Sequence, residues 1–145
     1  MAFPVPVPGM VIRYSYLWRD EYKKGRDEGV KDRPCAIVVA AEPIGGRRTV
    51  VVVPVTHTPP SGSDYAIEIP TAVKRRLGLD GERSWVVVNE ANRFVWPGPD
   101  LRPAKRGEAG SVVFGHLPLR MYEEIRAKFV KALRKGAAEP VSRTE

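Results

Sequence analysis

Two uninterrupted runs of small and β-branched apolar residues constrain the fold of this chain more than anything else in it: Cys35-Ala36-Ile37-Val38-Val39-Ala40 and Thr49-Val50-Val51-Val52-Val53-Pro54-Val55-Thr56. Neither alternates apolar with polar, so each reads as a strand covered on both faces. Gly45-Gly46 supplies positive φ at little cost between them, which makes the pair a hairpin. Pro34 has no N–H to give a ladder, so it is expected at the first residue of the central strand, with Arg33 just outside that edge. A permanently charged, planar guanidinium on so rigid a base suits the gripping of a phosphate; a surface pair with Asp32 or Glu28 is the competing reading. Pro54 predicts a loosening ladder, so Thr56 and His57 emerge at a strand end.

The remaining chain reads as a frame around this hairpin. Pro4, Pro6 and Pro8 enforce an extended lead-in, and Met10 to Trp18 reads as a first strand with one apolar and one wet face. The charged, glycine-marked connection over 19–29 reads as a long loop in which Lys23, Lys24 and Arg26 offer contacts to a nucleic-acid backbone and Trp18 and Tyr22 offer faces for a base. Tyr65 to Ile69 alternates like a half-buried strand. Thr71 to Gly78 reads as a short helix, capped by Thr71 and turning Lys74-Arg75-Arg76 to solvent. A strand from Ser84 continues to Trp96, interrupted halfway by polar residues. A fixed loop over 96–103, folded over the sheet, and a short strand over 111–115 come next. Leu119, Tyr122, Ile125, Phe129 and Leu133 then trace one face of a long helix that stops at Gly136. The expectation is one mainly β domain over 1–136, a small bent sheet or barrel with a C-terminal helix and one short internal helix, followed by a flexible tail over 137–145.

Charge narrows the function. Lys and Arg number 24 against 17 Asp and Glu, a net +7 that favours a polyanionic partner. The single cysteine, Cys35, excludes an internal disulfide and lies in the apolar strand, which suits a reducing compartment. The N-terminal segment lacks the basic flank and apolar run of a signal peptide or membrane span, so a cytoplasmic protein is expected, with no membrane contact. The two histidines are far apart in sequence and no phosphate-binding glycine loop or nucleophile elbow occurs, so no metal and no cofactor are expected. What remains is a phosphate-competent set at strand ends: Glu28, Arg33, Thr56, His57 and Arg93. Such groups suffice for RNA cleavage, in which a base takes the 2′-OH proton, the oxygen attacks phosphorus, and cationic or hydroxyl donors stabilise the charge on the phosphoryl oxygens.

From Gly9 through the last helix, the arrangement resembles the MazF/PemK/Kid toxins of toxin–antitoxin systems. The likeness is carried by Glu28-Gly29-Val30-Lys31-Asp32-Arg33-Pro34-Cys35-Ala36-Ile37-Val38, by Pro54-Val55-Thr56 and, less closely, by Val86 to Arg93, where Ala91 replaces the family's Gln and Trp96 stands where an acid is often found. The resemblance implies an SH3-like barrel, usually dimeric, that cuts single-stranded RNA without metal and is wrapped by an acidic antitoxin. It implies that Arg33 stabilises the transition state, that Thr56 bonds the phosphate, and that Glu28 is the base, with His57 the competing proton carrier. Three readings stay open beside it: a CcdB-like gyrase-directed toxin on the same barrel, a barrel that binds RNA without cutting, and an AbrB/MazE-like segment over 69–79.

Overall fold

The computed structural model describes residues 3–26, 29, 31–41, 43–62, 64–104 and 111–143. The chain is mainly β: β1 (Met10–Ser15), β2 (Asp32–Ala40), β3 (Arg48–Thr56), β4 (Ala66–Glu68), β5 (Trp85–Val87), β6 (Asn92–Trp96), β7 (Val113–His116) and β8 (Val141–Ser142), with α1 (Arg19–Lys23), α2 (Thr71–Arg76) and the long α3 (Leu119–Arg134). The strands form one curled sheet in the order β4-β5-β3-β2-β1-β7, with β6 on β3 and β8 on β6. All pairings are antiparallel except β6 with β8. None of the described helices is long and apolar enough to cross a membrane.

The two apolar runs do form the central hairpin, and alternate residues feed two separate cores. Ala36, Val38, Val53 and Val55 pack with Ile125 and Phe129 of α3 on one face. Cys35, Ile37, Val50 and Val52 pack with Ile12, Tyr14, Phe94 and Trp96 on the other. β1 is enclosed in the same way, with Val11 in the first core and Ile12 in the second, so its expected wet face is reduced to Arg13. One edge of β3 is shared in succession by β6 along Arg48–Val52 and by β5 at Val55–Thr56, which bends the sheet where the sequence reads a single interrupted strand. The loop over 97–103 lies on β1 as expected, through Ser15 N–H to Asp100 O at 2.9 Å and Arg102 N–H to Arg13 O at 2.9 Å.

Four expectations are corrected. β2 begins at Asp32, so Pro34 and Arg33 lie inside the strand, opposite Arg13 and Tyr14 of β1. The β2–β3 register ends at Cys35 opposite Pro54 because Pro34, which comes next opposite Val55, has no N–H to continue it. The connection after β1 is not all loop: α1 follows the N-cap Trp18, whose N–H is accepted by Glu21 Oε1 at 3.1 Å. α2 is preceded by Pro70 rather than capped by Thr71, and Lys74 of its basic triplet is buried at 5% exposure. The chain beyond Gly136 is not a flexible tail as far as Arg143. Ala138 and Val141 join the core, and β8 runs beside β6. The Arg143 guanidinium bonds Ser15 O at 2.7 Å and Asn92 Oδ1 at 3.0 Å and pairs with Asp100 at 3.1 Å. Buried polar groups must be paired, and this arginine pairs three elements at once.

Candidate active site

Arg33 projects from β2, just before the buried run 35–38 of that strand. Its Nη1 donates to Val55 O at 3.2 Å, taking a carbonyl at the point where the proline ends the ladder. Its guanidinium carbon lies over the Trp18 ring at 4.9 Å from the centroid, a cation–π contact that fixes the plane of the fork. Nε is buried without a hydrogen-bond partner among the described residues. Burial lowers the Arg33 pKa below the usual arginine value, which the surrounding Cys35, Glu21 and Tyr16 oppose. A cation so placed is electrostatically underserved by the protein, which strengthens its attraction for an external anion.

Thr56 is the last residue of β3; pairing with β2 stops at Pro54, while β5 still pairs with Val55 and Thr56. Thr56 Oγ1 accepts the Thr58 N–H at 3.2 Å, an arrangement that leaves the hydroxyl proton for an outside acceptor. His57 follows, with Nε2 at 2.8 Å from Asp80 Oδ2 and Nδ1 at 3.9 Å from Glu82 Oε2. Asp80 is held in turn by the buried Lys74, whose ammonium lies 2.6 Å from Asp80 Oδ1, 2.7 Å from Ser84 Oγ and also on Glu82 O. The Lys74 hydrogen bond is the main reason the Asp80 carboxyl stays below the usual carboxylate range. His57, Asp80 and Glu82 bring ligand-type atoms within 4.8 Å of one another, a group able to hold a cation. The Lys74 ammonium already lies on that carboxylate, so the cluster carries a positive charge of its own.

Two depressions meet at these residues. A groove of about 690 Å³ runs past Trp18, Tyr65, Trp85 and Asn89, and a smaller one of about 290 Å³ runs past Arg13 and Lys74. Lys31, Arg33, Thr56 and His57 line both, so they form the ridge between them. No protein-family model, curated protein or solved structure matches this chain.

The groove thus brings together Arg33, Thr56, His57 and Trp18 from the expected set. Glu28 lies outside the described residues. Tyr22, Lys23, Lys24 and Arg26 lie on or just after α1 with their side chains to solvent, and none of them lines the groove. Arg93 is separated from it: it projects from the second position of β6, and its Nη2 donates to Ser142 Oγ at 2.7 Å, an anchor for the C-terminal strand. Sequence reasoning missed Lys74, Asp80 and Trp85. The clue to Lys74 was its place beside Val73 and one turn before Leu77, on the face that turns inward. Asp80 and Trp85 carry no local signal, because folding alone brings the loop after α2 and the start of β5 to the end of β3. Chemically, the ridge offers a planar cation, a hydroxyl donor and an imidazole with one hydrogen-bonded nitrogen, beside an indole wall.

Proposed function

We propose that this protein is an endoribonuclease that cuts single-stranded RNA, a toxin of the kind the MazF/PemK/Kid resemblance implies, built on an SH3-like barrel. The observation that carries the reading is the ridge on which Arg33, Thr56 and His57 stand together between two depressions, with Trp18 in the wall. A strand crossing the ridge stacks a base on the indole and presents its phosphate to Arg33 and Thr56. His57 takes the 2′-OH proton, the oxygen attacks phosphorus, and Arg33 and Thr56 stabilise the charge on the phosphoryl oxygens. The bond to the 5′-oxygen breaks, that oxygen takes up a proton, and a 2′,3′-cyclic phosphate remains. Glu28 is the alternative base. This route calls for no metal ion. With the basic side chains of Lys23, Lys24 and Arg26 at solvent, the reading extends to an acidic antitoxin that competes with RNA and to a homodimer that lengthens the groove.

The test is incubation of pure protein with mixed single-stranded RNA oligomers in EDTA. Cyclic-phosphate ends are expected, with RNA affinity falling by a slope of roughly 0.7 in log K per phosphate neutralised as log salt rises. Binding without cutting selects the non-catalytic barrel, and inhibition of gyrase without either selects the CcdB-like reading.

A further inference from the structure

We infer that Asp80 and Lys74 are positioning residues for His57, forming a Lys74–Asp80–His57 relay that leaves imidazole Nδ1 as the proton acceptor. The inference rests on the RNA-cleaving reading of the ridge and adds to it two residues from a loop and helix that the resemblance does not single out.

The directions of the hydrogen bonds follow from the chemistry of each group. An ammonium has three N–H donors and no acceptor, and Lys74 spends them on Asp80 Oδ1 at 2.6 Å, Ser84 Oγ at 2.7 Å and Glu82 O. Asp80 Oδ1 also accepts the Glu82 N–H at 3.1 Å, so that oxygen is fully engaged and the carboxylate cannot turn. An ionised carboxylate only accepts, and the Lys74 ammonium 2.6 Å from Oδ1 pairs with Asp80 in that form. The His57 nitrogen at 2.8 Å from Oδ2 is therefore the protonated one, Nε2. Nδ1, 3.9 Å from Glu82 Oε2, makes no hydrogen bond to that carboxylate and keeps its lone pair. A Lys–Asp pair that only stapled the loop to α2 would have no use for an exposed imidazole. Here the imidazole follows Thr56 directly and lines both depressions with Arg33.

The discriminating variant is Asp80→Asn, nearly isosteric. Lys74 must keep an oxygen acceptor, so the Asn amide turns its NH2 to His57, which then accepts at Nε2 and carries its proton on Nδ1, the wrong tautomer for the base. Long-range ¹H–¹⁵N spectra read the tautomer in ¹⁵N-labelled protein, with the two histidines told apart by His116→Gln. The wild type is expected to show Nε2–H, and Asp80→Asn Nδ1–H with kcat for RNA cleavage down about 10²-fold or more and KM within about twofold. A wild type with Nδ1–H overturns the relay, whether or not Asp80→Asn folds, and so does a folded Asp80→Asn protein that cleaves at the wild-type kcat. A wild type that does not cut RNA overturns the cleavage reading and the relay's role with it, an outcome distinguished from the previous two by the inactive parent.

Discussion

The Arg33 guanidinium carbon lies 4.9 Å from the centroid of the Trp18 ring, so the cation expected to meet phosphate and the ring expected to meet a base are in contact before any ligand arrives. Trp18 is itself fixed, by Glu21 at the start of α1 and by an edge contact to Tyr16 at 5.2 Å. Trp18→Ala is therefore expected to remove a stacking face and to loosen the guanidinium. Affinity for a short single-stranded RNA should fall by about 1–3 kcal/mol, measured by fluorescence anisotropy, with Trp18→Phe intermediate.

Arg33→Ala should reduce RNA cleavage by about 10²-fold or more, since Lys31, which also lines both depressions, offers a point charge and not a planar fork held on the Trp18 ring. Because Nη1 also holds Val55 O, the substitution should cost about 1 kcal/mol of stability, visible as a small drop in the melting temperature. Arg33→Lys should restore little, because a point charge copies neither the fork nor the stack on the indole. Full activity in a folded Arg33→Ala protein would contradict the assignment.

Glu90 gives a pH dependence of stability with a definite sign. Burial raises its carboxyl above the usual range, against the opposing hydrogen bonds from Arg19 N–H at 3.0 Å and Tyr16 O–H at 3.0 Å. A carboxyl that keeps its proton to higher pH when folded binds more protons in the native state, so its contribution is complete below the unfolded value of about 4.3 and is lost as pH rises through the raised one. Asp80 acts oppositely, its stabilisation fading only as pH falls below the ordinary aspartate range. Glu90→Gln keeps an acceptor for both donors and removes the titration. Melting curves across mildly acidic to neutral pH should show the variant gaining on the wild type as pH rises, and parallel curves would refute the assignment.

Arg143→Ala should be among the most damaging single changes. Its side chain is 2% exposed and joins Ser15, Asn92 and Asp100, and removing one partner of a buried pair costs about 3–5 kcal/mol. A loss of roughly 10 °C in melting temperature is expected for a chain of this size. Deletion of the residues after Gly136 should do at least as much. A truncated protein that melts with the wild type would restore the flexible-tail reading.

The sequence by itself determined the parts whose burial is written as local pattern. The hairpin of β2 and β3 follows from two runs of β-branched residues about a Gly-Gly turn, and α3 from a 3.6-residue period stopped by Gly136. These features also placed Arg33, Thr56 and His57 near strand ends. Tertiary structure decided what depends on residues far apart in the chain. Arg33 lies inside its strand rather than beyond it because β1 pairs as far as Asp32, and Pro34 disrupts only the β3 side. Lys74 reads as one of three solvent lysines and arginines until the loop of Asp80, Glu82 and Ser84 closes over it. Residues 137–143 are too polar and short to signal a strand, and they are held by distant parts of the chain: β6 beside β8, the core around Ala138 and Val141, and Asn92, Asp100 and Ser15 on Arg143. A short period can be read from neighbours along the chain, whereas a charge's partners are fixed only when the sheet curls and brings distant loops to the same edge.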